Sequence, residues 1–209
     1  NSGLIRHVLV RTNSDLSQIM VVLVLTSREL PNEESIVKKL ITRYPNIKSI
    51  VKNINNVKGN TILGDEVITI YGSDTITDEL CGLKFNIGPK SFYQVNHQQT
   101  EKLYQKVVEL ATLKDTDTVI DAYCGIGTIG LIVSKHVKEV YSVEIINEAI
   151  KNAKINAKAN KIKNITFVCN KAENQIKLWQ KSGIKADVII VDPPRKGCDK
   201  SLLETIDEM

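Results

Sequence analysis

The segment Val119–Gly130 (VIDAYCGIGTIG) constrains the fold more than any other part of this chain. An apolar, β-branched run ends in an acid, passes through glycines at 125, 127 and 130, and continues into a helical stretch. Glycines in that spacing let the backbone turn tightly and approach a ligand, and the helix that follows presents free amides at its start. Strand, turn and helix of this kind belong to parallel sheets, and the flanking sequence agrees. Short apolar strands are expected at 118–121, 139–143, 165–169 and 188–191, with helical stretches between them. That alternation predicts an α/β domain with a parallel sheet, whose ligand lies at the carboxyl ends of the strands where the strand order reverses.

The first part of the chain has a different grain. Residues 6–11, 19–26, 47–53 and 66–71 read as strands, with one helix at 32–44 carrying Ile36, Val37, Leu40 and Ile41 on a stripe and Pro45 at its end. Residues 82–96 read as a further strand and a loop broken by Gly88 and Pro89, leading into a long helix over 97–113. The expected organisation is therefore a smaller α+β domain over 1–90 and a parallel α/β domain over 91–209. The chain stops inside the helix expected after the fourth strand, so the sheet is expected to be incomplete.

Composition narrows the class. With 42% apolar and 25% charged residues the 209-residue chain matches globular proteins rather than disordered ones. The longest apolar run, Ile19–Leu25, is far too short to span a bilayer, and no leader pattern opens the chain, so a cytoplasmic protein without a membrane partner is expected. Cysteines at 81, 124, 169 and 198 form no CxxC pair, which argues for reduced thiols and against a metal site. The net charge of +4 suits a polyanionic partner but does not demand one. Lys151, Lys154, Lys158, Lys161 and Lys163 fall largely on one helical face, and the simpler reading of such a face is solvation.

Two acids and a proline loop give the glycine turn its chemistry. Asp121, four residues before Gly125, would repel a pyrophosphate but suits the cationic end of a methyl donor. Glu144 ends the next strand, where a carboxylate takes both hydroxyls of a ribose in either kind of nucleotide site. After the fourth strand, Val191–Asp199 (VDPPRKGCD) uses two prolines to stiffen a loop that holds Asp192 toward the cleft. Arg195 stands where enzymes that methylate base amino groups place an aromatic ring, and Pro194 where cytosine C5 methylation would place a cysteine.

Three blocks in order, Ser91–Gln99 (SFYQVNHQQ), Asp121–Gly127 (DAYCGIG) with Glu144, and Asp192–Gly197 (DPPRKG), make the chain resemble the bacterial RNA uracil-5-methyltransferases of ribosomal and transfer RNA, the 23S ribosomal branch more closely. The resemblance spans essentially the whole chain. It implies a Rossmann-like S-adenosylmethionine-dependent methyltransferase domain and contacts to S-adenosyl-L-methionine from Gln94, Tyr123, Glu144 and Asp192, to which the reading of the glycine block adds Asp121 and Gly125; a monomer is the default expectation.

In that family a cysteine thiolate adds to uracil C6, the enolate takes the methyl group at C5, and a base removes the C5 proton. The segments supplying that cysteine and that base have no counterpart here, nor do the amino-terminal RNA-binding barrel and the iron-sulfur cysteines of many members. The catalytic pair is thus expected to lie beyond this chain. Cys198, near Arg195 and Lys196, is the one substitute thiol, while Cys124, Cys81 and Cys169 read as packing residues. Two other classes remain: a noncatalytic module that binds the cofactor or RNA, and a nicotinamide-dependent oxidoreductase built on the same glycine pattern.

Overall fold

The structure, a computed structural model, describes residues 3–209. The chain packs as two units: Asn1–Glu79 with Asn86–Lys90, and Leu80–Phe85 with Ser91–Met209. Among the described residues no helix is long and apolar enough to cross a membrane.

In the first unit β1 (Ile5–Thr12), β2 (Ile19–Leu25), β3 (Ile47–Ile54) and β4 (Glu66–Gly72) form a sheet in that order. The pairs β1–β2 and β3–β4 are antiparallel, whereas β2 and β3 are parallel. A parallel pair needs a crossover, and α1 (Glu33–Arg43) supplies it. Its stripe of Ile36, Val37, Leu40 and Ile41 packs on Val21, Leu23 and Ile50, as the periodicity of the sequence predicts.

The strand expected within 82–96 is the second strand of a hairpin whose first strand and turn the sequence reading missed. Strands β5 (Ile76–Leu80) and β6 (Leu83–Ile87) are joined by Cys81 and Gly82 alone, both at positive φ, 51° and 70°. Two consecutive left-handed residues make the turn whose twist matches the flanking strands. The hairpin divides between the units, since Leu80, Leu83 and Phe85 are buried in the core around Tyr104 and Val119.

The second unit is built on β7 (Thr118–Ala122), β8 (Glu139–Glu144), β9 (Ile165–Cys169) and β10 (Val188–Val191), all parallel, in the order β10-β7-β8-β9. Five helices accompany them: α2 (His97–Ala111), α3 (Thr128–Val133), α4 (Asn147–Ala159), α5 (Ala172–Lys181) and α6 (Lys200–Asp207). Alternate residues of each strand face opposite sides. Val119, Val140 and Phe167 meet Leu131, Ile132 and Ala153 of α3 and α4 on one face. Ile120, Ala122 and Val143 meet Ile176, Trp179 and Leu202 of α5 and α6 on the other. Both faces are covered, so the expected α/β sheet is doubly wound. The chain steps outward from β7 through β8 to β9, then returns to place β10 on the far side of β7. The order therefore reverses beside β7, and the loops after β7 and β10 open a crevice at their carboxyl ends.

Candidate functional site

The glycine turn leaves β7 at this reversal. Gly125 and Gly127 have φ of 55° and 84°, and between strand and glycines Tyr123 also sits in the left-handed region at 66°. A side chain there is held against an intrinsic preference of about 1 kcal/mol. Backbone hydrogen bonds fix the path: Cys124 N donates to Val143 O at 3.0 Å and Gly127 N to Cys124 O at 2.8 Å. A Cβ on Gly125 would meet nothing within 4 Å, so this glycine faces open space at the mouth of the turn. A Cβ on Gly130 would lie 2.7 Å from Asp121 Oδ2 and 2.8 Å from Ser142 Oγ. Helix α3 can approach the sheet this closely only with hydrogen at that position.

Asp121 does not stand where the sequence reading put it. Its side chain is 1% exposed, beneath α3, and its Oδ2 accepts the Gly130 amide at 2.8 Å. It ties the helix to the strand and does not line the cleft. The β-strand alternation explains this: Asp121 points to the same face as Val119, into the core, and pairs in register with Ser142 of β8. Burial pushes its carboxyl up to about 7; the Gly130 amide opposes this, while the charges of Asp192 and Glu144 add to it. Asp121 Oδ1 and Ser142 Oγ are both buried without a hydrogen-bond partner.

Glu144 ends β8 with its carboxylate against the turn. Oε2 accepts the Gly125 amide at 3.2 Å and Oε1 the Ile146 amide at 3.0 Å. Each oxygen keeps a second lone pair, which can take a hydroxyl from a ligand lying over the strand ends.

Four of the expected residues, Gln94, Tyr123, Gly125 and Asp192, line one cleft whose enclosed part measures about 40 Å³. Asp192 is exposed, and its amide extends the β10–β7 pairing by donating to Ala122 O at 3.4 Å. Beyond it, Gly197 N closes a turn onto Pro194 O at 2.8 Å, and Asp199 caps α6 by accepting the Ser201 amide at 2.9 Å. The loop is thus anchored on both sides of its prolines.

The structure also brings residues to the cleft that the sequence reading passed over. Tyr104 of α2 and Thr128 of α3 share a hydrogen bond at 3.3 Å in its wall, and burial raises the Tyr104 phenol. The four-residue spacing of Thr100 and Tyr104, the buried pair of α2, was the available signal. Phe92, 72% exposed, lines the same cleft. Cys198 is half-buried and packs at the edge of the cluster around Ile120 and Leu202, outside the lining. Cys124 lines the cleft but is buried, and burial holds its thiol well above the usual range. Among the described residues no group of three His, Cys, Asp or Glu is arranged to hold a metal ion.

A doubly wound sheet with a glycine turn at its point of reversal, an acid at the end of the neighbouring strand and an acid-proline loop opposite defines a Rossmann-like methyltransferase domain. The solved structures agree on the fold. The tRNA (uracil-54, C5)-methyltransferase of Pyrococcus abyssi, determined in complex with S-adenosyl-L-homocysteine, superposes with a TM-score of 0.77 at 24% identity, covering 99% of this chain and 48% of that one. A tRNA m1G37 methyltransferase of M. jannaschii gives 0.55 at 17% identity, over 99% and 58%.

The model of the tRNA (uracil-5-)-methyltransferase family matches residues 7–209, and the chain belongs to that family. Its relatives include proteins described as uncharacterized RNA methyltransferases from Staphylococcus aureus (strain MSSA476), 47% identical over 204 residues, and Bacillus cereus (strain ATCC 10987 / NRS 248), 47% identical over 209. These matches take in 98% and 100% of this chain and 45% of each relative, so the chain spans about half the length of those proteins.

Proposed function

We propose that this chain is the cofactor-binding part of an enzyme that methylates uracil C5 in RNA, 23S ribosomal RNA by preference, using S-adenosyl-L-methionine. The observation that carries the reading is the gathering of Gln94, Tyr123, Gly125 and Asp192 on one cleft beside the Glu144-bound glycine turn. The residues fit the cofactor. The exposed Asp192 carboxylate on the cleft offers charge complementarity to the sulfonium and ammonium. The nucleoside then lies over the strand ends, with its ribose hydroxyls on Glu144, already oriented by two backbone amides. Gly125, facing open space, lets that nucleoside approach the backbone.

The bound cofactor supplies an electrophilic methyl group on sulfur. The chain's own residues hold it: Asp192 beside the charge, Glu144 at the ribose, and Tyr104 with Thr128 as the polar wall behind. The exposed Phe92 ring offers a stacking face to a base drawn out of its strand into the cleft. The thiolate that activates C6 and the base that removes the C5 proton are assigned to the longer protein, because Cys198 lies beside Tyr123 but outside the cleft lining and Cys124 is buried. The location in the cell is taken as cytoplasmic and the state as monomeric.

Calorimetric titration with S-adenosyl-L-homocysteine tests the reading. Saturable binding is expected, weakened about 100-fold or more by Glu144→Ala, the loss of two charge-assisted hydrogen bonds. Binding that is unchanged in folded Glu144→Ala and Asp192→Ala, or absent in the folded wild type at millimolar ligand, overturns it.

A further inference from the structure

A second concavity lies along the carboxyl-terminal half of α4. It is a groove of about 440 Å³ whose rim carries Lys154, Lys158, Lys161 and Lys163 and whose floor is Ala157, Ile162, Ile165 and Phe167. All four lysines are exposed, no acid lines the groove, and among the described residues none of the four is paired with a carboxylate. Helix α4 starts at the carboxyl edge of the sheet and runs 13 residues, about 20 Å, so its end and the start of β9 lie at the opposite edge.

Compensation of the helix dipole accounts for Lys158, in the last turn of α4. It does not account for Lys154 in the helix body, nor for Lys161 and Lys163, which follow the helix end. Lys161 is the more informative. It takes the left-handed conformation that closes α4, with φ of 57°, its amide on Lys158 O at 3.1 Å and that of Ile162 on Ala157 O at 3.0 Å. Glycine is the residue that favours this position. A lysine there lines the groove at a conformational cost, which solvation of the helix face alone does not require.

We infer that this groove is a docking surface for the phosphate backbone of the substrate RNA. The inference rests on the RNA reading proposed above. The partner follows from charge complementarity: four exposed lysines, none paired with a carboxylate, line one trough over an apolar floor, and such cations displace counterions from a polyanion.

The test measures binding of a 30-nucleotide RNA to the chain as a function of salt. Lys154→Gln, Lys158→Gln and Lys163→Gln are combined with Lys161→Gly. Thermal unfolding and S-adenosyl-L-homocysteine affinity serve as controls for the fold. The combined variant is expected to bind this RNA at least tenfold more weakly at physiological salt. The slope of log affinity against log salt should fall by about 3. Lys161→Gly alone separates charge from structure: RNA affinity falls while the melting temperature holds or rises. Salt-sensitive RNA binding that is the same in wild type and variants overturns the groove and leaves the function proposal standing. No RNA binding by the folded wild type overturns both. Lysine-dependent binding to phosphatidylserine vesicles, with none to RNA, assigns the groove to a lipid surface and overturns the proposal.

Discussion

Replacing Asp121 with asparagine should change how stability depends on pH, in a direction opposite to that usually met with acids. The carboxyl is enclosed under α3 and pushed up to about 7, against an ordinary value near 3.8. Below about pH 4 the group is neutral in the folded and the unfolded chain alike, and the fold bears no cost. Between about 4 and 7 the unfolded chain releases the proton while the folded one retains it, so stability is lost as pH rises, by about 1.4 kcal/mol per unit. Above 7 the loss levels off. From pH 5 to pH 7.5 the wild type should therefore lose about 2–3 kcal/mol relative to Asp121→Asn, which has no proton to release. Asparagine keeps an oxygen for the Gly130 amide and brings an amino group toward the unpartnered Ser142 hydroxyl. Urea unfolding of both proteins across this range isolates the effect, because titrating groups that do not interact with Asp121 cancel in the difference. A difference that stays flat from pH 5 to 7.5, or one that moves in the wild type's favour, refutes the argument that burial dominates at Asp121.

Other outcomes follow from the same geometry. Gly130→Ala places a methyl group 2.7 Å from Asp121 Oδ2 and should destabilise the chain by about 1–3 kcal/mol in chemical denaturation. Trp179→Ala removes an indole that meets Tyr141 edge-on at 5.5 Å and should cost about 3–5 kcal/mol, read from the same assay. Alkylation followed by mass spectrometry should label the exposed Cys169 first and spare the buried Cys124 until the chain unfolds. Early labelling of Cys124 would mean that the turn opens on its own.

The parallel sheet was legible because its strands are short, apolar and separated by helical periodicity, and because three glycines mark the turn after β7. Gln94, Tyr123, Gly125 and Asp192 converge as the motif blocks implied. Asp121 was misplaced for a physical reason. An acid at a strand end invites a ligand reading, and only its register beside Ser142 and under Gly130 shows that it bonds inward. The first strand and the turn of the β5–β6 hairpin escaped because that strand carries Asp78 and Glu79 and the turn places Cys81 at positive φ, where sequence patterns look for asparagine or glycine. The i, i+4 spacing of Thr100 and Tyr104 marks the buried face of α2, but the pairing of Tyr104 with Thr128 depends on how α2 meets α3, which that spacing does not encode.

The division of that hairpin carries a practical consequence for anyone wishing to isolate the cofactor-binding half. The chain passes between its two units three times, after Glu79, after Phe85 and after Lys90, so no single cut separates them cleanly. A fragment beginning at Ser91 would leave behind Leu80, Leu83 and Phe85, each at most 4% exposed. Losing three such side chains removes about 5–9 kcal/mol of apolar burial, comparable to the whole stability of an ordinary domain. A minimal fragment that folds should therefore start before Ile76, carrying the hairpin with it as a tail that the smaller unit lends to the larger.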